Sequence, residues 1–207
     1  FVKQKNNRIA IAVRSESTAD TLSSGSKYAV HQLGGITRSI YLMAVPTVSL
    51  KSFHINTTFD KSFEDANLNV EIITTCGPQK PKEANLQFAL TDTNGNTLPI
   101  EGEINQKIDL KKNSSKNFLS TFIVRKPLKW DCEHPNLYYL TCKIFVDGKE
   151  VEKVVKRFGF RQIEVRGNQL YVNNKVIKLK GVNRHEVSPL RGRSLTGNQW
   201  YEDVKIF

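Results

Sequence analysis

Leu137-Tyr138-Tyr139-Leu140-Thr141-Cys142-Lys143-Ile144-Phe145-Val146-Asp147-Gly148-Lys149-Glu150-Val151-Glu152-Lys153-Val154-Val155-Lys156-Arg157-Phe158-Gly159-Phe160 sets the reading of the whole chain. Two alternating runs flank Asp147-Gly148, a dipeptide that adopts positive φ at little cost, so the stretch predicts a β-hairpin. Working outward, the period stays at two rather than 3.6. Residues 48–59, 68–74, 85–91, 104–110 and 118–124 also read as strands, joining 137–146 and 151–160. Gly77-Pro78 and Asn94-Gly95-Asn96 punctuate the series with turn chemistry. Seven strands in about 115 residues, with no helical period, predict an all-β, immunoglobulin-like antiparallel β-sandwich over residues 46–161. The Cys…Trp…Cys spacing of antibody domains is absent, so the likeness is one of architecture.

The flanks differ. Upstream, Arg8-Ile9-Ala10-Ile11-Ala12-Val13-Arg14 and Ser39-Ile40-Tyr41-Leu42-Met43-Ala44-Val45 read as two more strands, separated by a Ser/Gly/Thr-rich loop at 15–38. Downstream, Gln169-Leu170-Tyr171-Val172 and Val176-Ile177-Lys178-Leu179-Lys180 flank Asn173-Asn174-Lys175 and predict a tight hairpin. A bend follows at Gly181-Val182-Asn183-Arg184-His185-Glu186. Thr196 with Gln199 three residues on is a capping-box pattern, and Trp200, Val204 and Phe207 keep helical spacing.

Composition narrows the function classes. The 207 residues carry 31 Lys+Arg against 20 Asp+Glu, a net charge of +11. Hydrophobic residues at 39% and charged residues at 25% exclude a wholly disordered chain. Residues 46–160 hold 16 basic and 14 acidic side chains, so the surplus sits at the ends, with no run of five like charges. That distribution argues against nucleic-acid binding, which wants a concentrated basic footprint. No apolar run is long enough to predict a membrane span. Phosphate-loop, dinucleotide and His-Glu-x-x-His motifs are all absent. Cys76, Cys132 and Cys142 are odd in number and lack metal-ligand spacing, which leaves at least one free thiol within the chain.

Four landmarks, in order, carry a family resemblance. Gly34-Gly35-Ile36-Thr37-Arg38-Ser39-Ile40-Tyr41-Leu42 resembles the motif GI-x-R-x-V-x-L. Trp130 with Pro135-Asn136-Leu137-Tyr138-Tyr139-Leu140 resembles W-x-P-E-x-P-x-L-Y-x-L. Arg157-Phe158-Gly159-Phe160-Arg161 resembles x-x-G-F-R. Gly181-Val182-Asn183-Arg184-His185-Glu186, after its hairpin, resembles the approach to the catalytic barrel of glycoside hydrolase family 2. That family contains β-galactosidases, β-glucuronidases and β-mannosidases.

The resemblance implies part of a longer enzyme. Residues 1–45 would be the last strands of a sugar-binding jelly roll, 46–161 the immunoglobulin-like domain, and 162–207 the first hairpin, strand and helix of a TIM barrel. Arg184, where β-glucuronidases usually show Lys, favours a β-galactosidase. A retaining glycosidase needs two carboxyl groups about 5–5.5 Å apart. The family places its acid/base in an Asn-Glu pair, and this sequence has none. The segment is therefore expected to be inactive alone, with Glu202 and Asp203 facing solvent from the helix. His185 is the expected sugar contact, against the alternative of a structural histidine at a strand–loop junction. Asn183 and Arg184 read more as barrel framework, and Glu186 as intermediate.

His185 is followed by Glu186-Val187-Ser188-Pro189, where many members continue His-Glu with His-His-Pro. His31 lies in the jelly-roll loop, where some relatives place a sugar-contacting Asp, and Asp20 is the only acid nearby. Trp130, Tyr138 and Tyr139 read as packing residues, with a sugar-stacking platform as the alternative. No cofactor is expected within these residues, and the resemblance admits Mg or Na in the parent enzyme's barrel. It further implies a β-galactoside or oligosaccharide substrate, no nucleic-acid or membrane partner, and a parent that can be a homo-oligomer. The setting would be a bacterial periplasm or cytoplasm. A stand-alone carbohydrate-binding or adhesion sandwich is the competing class.

Overall fold

The computed structural model describes residues 8–13, 36, 39–192 and 195–207. His31, Asp20, the loop at 15–35 and most of the Gly34–Leu42 landmark's first half lie outside the described residues. Eleven strands are formed among the described residues: β1 (Val48–Phe59), β2 (Ala66–Cys76), β3 (Ala84–Asp92), β4 (Thr97–Leu98), β5 (Asn105–Lys107), β6 (Ser114–Val124), β7 (Tyr138–Val146), β8 (Lys149–Phe158), β9 (Ile163–Arg166), β10 (Gln169–Val172) and β11 (Lys175–Ile177). One helix, α1 (Gly197–Ile206), follows. The backbone divides into two units, Ala44–Lys180 and Phe1–Met43 with Gly181–Phe207.

The first unit is an immunoglobulin-like sandwich. One sheet has the order β1-β2-β6, and the other β4-β3-β7-β8, with β5 sharing the β4 edge of β3. All pairings are antiparallel. The inward faces follow directly from the sequence period. Ala66, Leu68, Val70, Ile72, Thr74 and Cys76 of β2 are buried at every second position. They face Ala84, Leu86, Phe88 and Leu90 of β3 and Tyr138, Leu140, Cys142 and Ile144 of β7. Phe88 and Phe122 meet across the sheets with ring centroids 5.1 Å apart. Tyr138, Phe158 and Phe160 form an aromatic trio at one end of the core. The Tyr138 hydroxyl accepts the Leu128 N–H at 2.9 Å, the tyrosine-corner arrangement of such sandwiches.

Turn chemistry works as the sequence implies. Asp147 and Gly148 take φ of 47° and 79°, which closes the β7–β8 hairpin in the hand that matches strand twist. Asn173 and Asn174 do the same at 49° and 66°, so that turn has two residues and Lys175 already belongs to β11. The downstream hairpin is the second half of a three-stranded meander, β9-β10-β11. Asn173 ties the meander to the sandwich by donating to the Trp130 carbonyl at 3.0 Å and accepting the Gln162 N–H at 3.0 Å.

Three strand expectations are corrected. Residues 8–13 and 39–45 carry no strand pairing, and Ile9, Ile11, Val13, Ile40, Tyr41, Leu42 and Met43 are exposed. Alternation prepares a strand, but a sheet neighbour has to complete its hydrogen bonds, and none is formed there among the described residues. The first barrel strand is likewise unformed, since 178–187 have no ladder partner among the described residues. A parallel strand takes its bonds from neighbours on both sides. The run read at 104–110 pairs with β3 through β5, and backbone bonds from the Phe88 N–H to the Ile104 carbonyl and from the Ile108 N–H to the Ala84 carbonyl extend it at each end, with Ile108 and Leu110 buried. There the pattern reported both burial and pairing, the pairing ending at Ile108.

Cys76 and Cys142 are free and buried, while Cys132 is free and exposed. Burial pushes the Cys142 thiol up to about 12, because a thiolate there would be stripped of water. A thiol-specific reagent at neutral pH is therefore expected to modify Cys132 promptly and the other two only on unfolding. Three fast-reacting thiols in the native chain would contradict this packing.

Candidate functional site

The four residues singled out at 183–186 sit in the second unit, on a stretch without regular structure between Gly181 and Val187. What organises the stretch is a turn and a helix cap. Ser188 and Gly192 exchange backbone hydrogen bonds at 2.8 Å, with Gly192 at φ 57° closing the turn. Thr196 caps α1: its hydroxyl accepts the Gln199 N–H at 3.4 Å, and Gln199 Oε1 accepts the Thr196 N–H at 3.0 Å. The same Gln199 donates through Nε2 to the buried Ser188 hydroxyl at 3.3 Å. The capping box thus does two things, ending the orphan N–H groups of the helix and fastening it to the turn.

Arg184 completes the assembly. Its Nη2 bonds the Asp203 carboxylate of α1, and Nη1 lies 3.8 Å from Glu186 Oε1. Asp203 is therefore not the free, solvent-facing helix residue expected from its position. One guanidinium with donors on two sides can hold two carboxylates that lie far apart in sequence. A depression of about 360 Å³ lies beside it, lined in part by Val187, Ser188, Gln199 and Asp203. The side chains of Asn183 and His185 are exposed and make no hydrogen bond among the described residues. His185 is exposed, while Arg184 links the 183–186 stretch to α1.

Glu186 and Asp203 are both engaged by the Arg184 guanidinium. No group of three His, Cys, Asp or Glu side chains able to hold a metal occurs among the described residues. No helix among them is long and apolar enough to cross a membrane.

Two of the aromatic candidates, Trp130 and Tyr138, make packing contacts. The Trp130 backbone N–H donates to the Phe160 carbonyl at 2.9 Å, and the Arg161 guanidinium lies over the indole ring at 4.5 Å. Gly159 is pressed against the indole's own Cβ, so the ring is held at the junction of sandwich and meander. Tyr138 is buried in the core. Residues missed at the 181–207 site are Asp203 and Ser188. Their only sequence signal was the presence of Arg184 and Gln199, each with more donors than one local partner could use.

Comparisons with known proteins bear on the family and the fold. The family model for glycosyl hydrolases family 2 matches residues 48–161, and the model for that family's TIM barrel domain matches 163–207. The chain belongs to glycosyl hydrolases family 2. Within the family it is 30% identical over 206 residues to a β-galactosidase of Streptococcus thermophilus, covering 100% of this chain and 19% of that one. It is 29% identical over 209 residues to the β-galactosidase large subunit of Lactobacillus acidophilus, covering 100% of this chain and 31% of the subunit. The chain thus spans less than a third of these relatives. Among solved structures, a β-glucuronidase 2 of Bacteroides uniformis superposes with a TM-score of 0.72 at 22% identity, over 84% of this chain and 22% of the other. A family 2 member from Bacteroides cellulosilyticus superposes with a TM-score of 0.70 at 18% identity, over 78% of this chain and 21% of the other. Those two likenesses establish the fold.

Proposed function

We propose that these residues form the non-catalytic spacer domain and the start of the catalytic barrel in a retaining β-glycosidase that hydrolyses terminal β-galactosides. The observation that carries this reading is the match of the entire chain, through Gly181–Phe207, to β-galactosidases. The family position of Arg184 and its hold on Asp203 and Glu186 agree with a framework role. In this reading the two catalytic carboxyl groups come from later barrel strands. The sandwich sets the spacing between sugar-binding domain and barrel, and the 183–186 stretch borders the substrate site, with His185 and then Glu186 toward the sugar and Asn183 and Arg184 as the framework that carries them.

His185 is the contributor with chemistry to spare. An exposed imidazole at the exit of a barrel strand can donate a hydrogen bond to a sugar hydroxyl, and barrel sites gather at strand C-termini. In the longer enzyme that carries this segment, His185→Ala is expected to lower kcat/KM for a chromogenic β-galactoside roughly tenfold, the scale of one lost hydrogen bond near 1.4 kcal/mol. Unchanged kinetics in a folded variant would assign His185 to structure alone.

A further inference from the structure

The two sheets of the sandwich meet along two seams, and both are stitched. At one, Glu101 and Ile123 exchange backbone hydrogen bonds at 2.9 Å, reinforced by Arg125, which bonds both oxygens of Glu101 at 2.7 and 2.8 Å. The other seam joins β1 and β8, each the outermost strand of its sheet. No backbone ladder spans that seam. Instead, side chains from β8 and the segment after it serve the outward backbone groups of β1. The Leu50 N–H donates to Glu152 Oε2 at 2.7 Å, and Lys156 Nζ donates to the Phe53 carbonyl at 2.5 Å. The Phe59 N–H donates to Gln162 Oε1 at 2.7 Å.

The choice of side chains is informative. Val154 and Phe158, two residues to either side of Lys156 on the same face of β8, pack against the core. Apolar residues at 152 and 156 would extend that packing, whereas half-buried charges are costly unless something compensates them. Glu152 and Lys156 do not pair with each other; each bonds a β1 backbone group. Both strands also break register beside the first contact, β1 between Leu50 and Ser52 and β8 opposite Ile144/Phe145. Inward-pointing charges and bulges are the means by which an edge strand is kept from templating another chain.

We propose that Glu152, Lys156 and Gln162 close the β1 edge against strand addition by a second copy of this chain. Opening it exposes the N–H groups of Leu50 and Phe59 and the Phe53 carbonyl, a row that an antiparallel strand can pair with. Two measurements on the full 207-residue chain test this together. Amide exchange at Leu50 is expected to accelerate tenfold or more in Glu152→Ala and to return toward the parent rate in Glu152→Gln, which keeps an acceptor oxygen. Sedimentation of the Glu152→Ala/Lys156→Ala variant is expected to show association at roughly tenfold lower concentration than the parent chain. Val154→Ala, which loosens the same strand without opening the edge, is the control and is expected to associate as the parent does. Unchanged Leu50 exchange in Glu152→Ala, association no greater than the parent's, or equal association in Val154→Ala would each overturn the proposal.

Discussion

Phe122→Ala is expected to cost about 3–5 kcal/mol of folding free energy, the range for truncating a fully enclosed Phe. Phe122 is 0% exposed and stands opposite Leu68 in the β2–β6 ladder. Its ring meets Phe88 of the other sheet at 5.1 Å, so it is one of the contacts that hold the two layers together. Deleting the ring removes transfer free energy and leaves a cavity between sheets whose backbone spacing is set by their own ladders. The walls therefore have little freedom to collapse inward. Against the usual 5–15 kcal/mol of a folded domain, such a loss is a large fraction of the total. Urea unfolding monitored by circular dichroism should show a lower midpoint with an unchanged slope. A loss under about 1 kcal/mol would mean that the sheets do not pack through this residue.

Gly159→Val is expected to be comparably severe for the opposite reason. A Cβ built at Gly159 would lie 2.6 Å from Trp130 Cβ, 2.8 Å from Cγ and 2.9 Å from the Asn136 carbonyl oxygen. None of these can step aside cheaply. The Trp130 backbone is bonded at both its N–H and its carbonyl, to Phe160 and to Asn173. Overpacking typically costs about 1–3 kcal/mol, and a clash with fixed backbone belongs at or above the top of that range. The glycine is needed for space, and Gly159→Ala should already destabilise measurably. Trp130→Ala should relieve part of the Gly159→Val penalty, giving a favourable coupling in a double-mutant cycle. Additive losses would show that the two residues do not press on one another.

This glycine shows what was legible in the chain and what was not. The motif Arg157-Phe158-Gly159-Phe160-Arg161 marked the end of the sandwich from sequence, yet the reason for its glycine lies in Trp130, 29 positions away along the chain. The sandwich itself was readable because antiparallel strands with one buried face repeat every two residues, and β2 does so without a break. β9, Ile163–Arg166, was missed because the turn at Gly167, φ 60°, was not read as a hairpin signal, whereas the equally short β10 was marked by its Asn173-Asn174 turn. The opposite error occurred at 8–13 and 39–45, where clear alternation has no sheet to join among the described residues. At the site, Arg184 and His185 could be singled out by their motif. The hold of Arg184 on Asp203 could not, since a contact across nineteen positions depends on how a turn at 188–192 returns the chain.

The account rests on the claim that this segment positions a glycosidase's parts without performing its reaction. The most direct measurement is hydrolysis of a chromogenic β-galactoside by the purified 207-residue chain, with and without a β-galactosidase active-site inhibitor. The expected result is release of chromophore at the uncatalysed rate, unaffected by inhibitor. Turnover above that rate that the inhibitor abolishes would contradict it, because it would place a working pair of carboxyl groups within these residues.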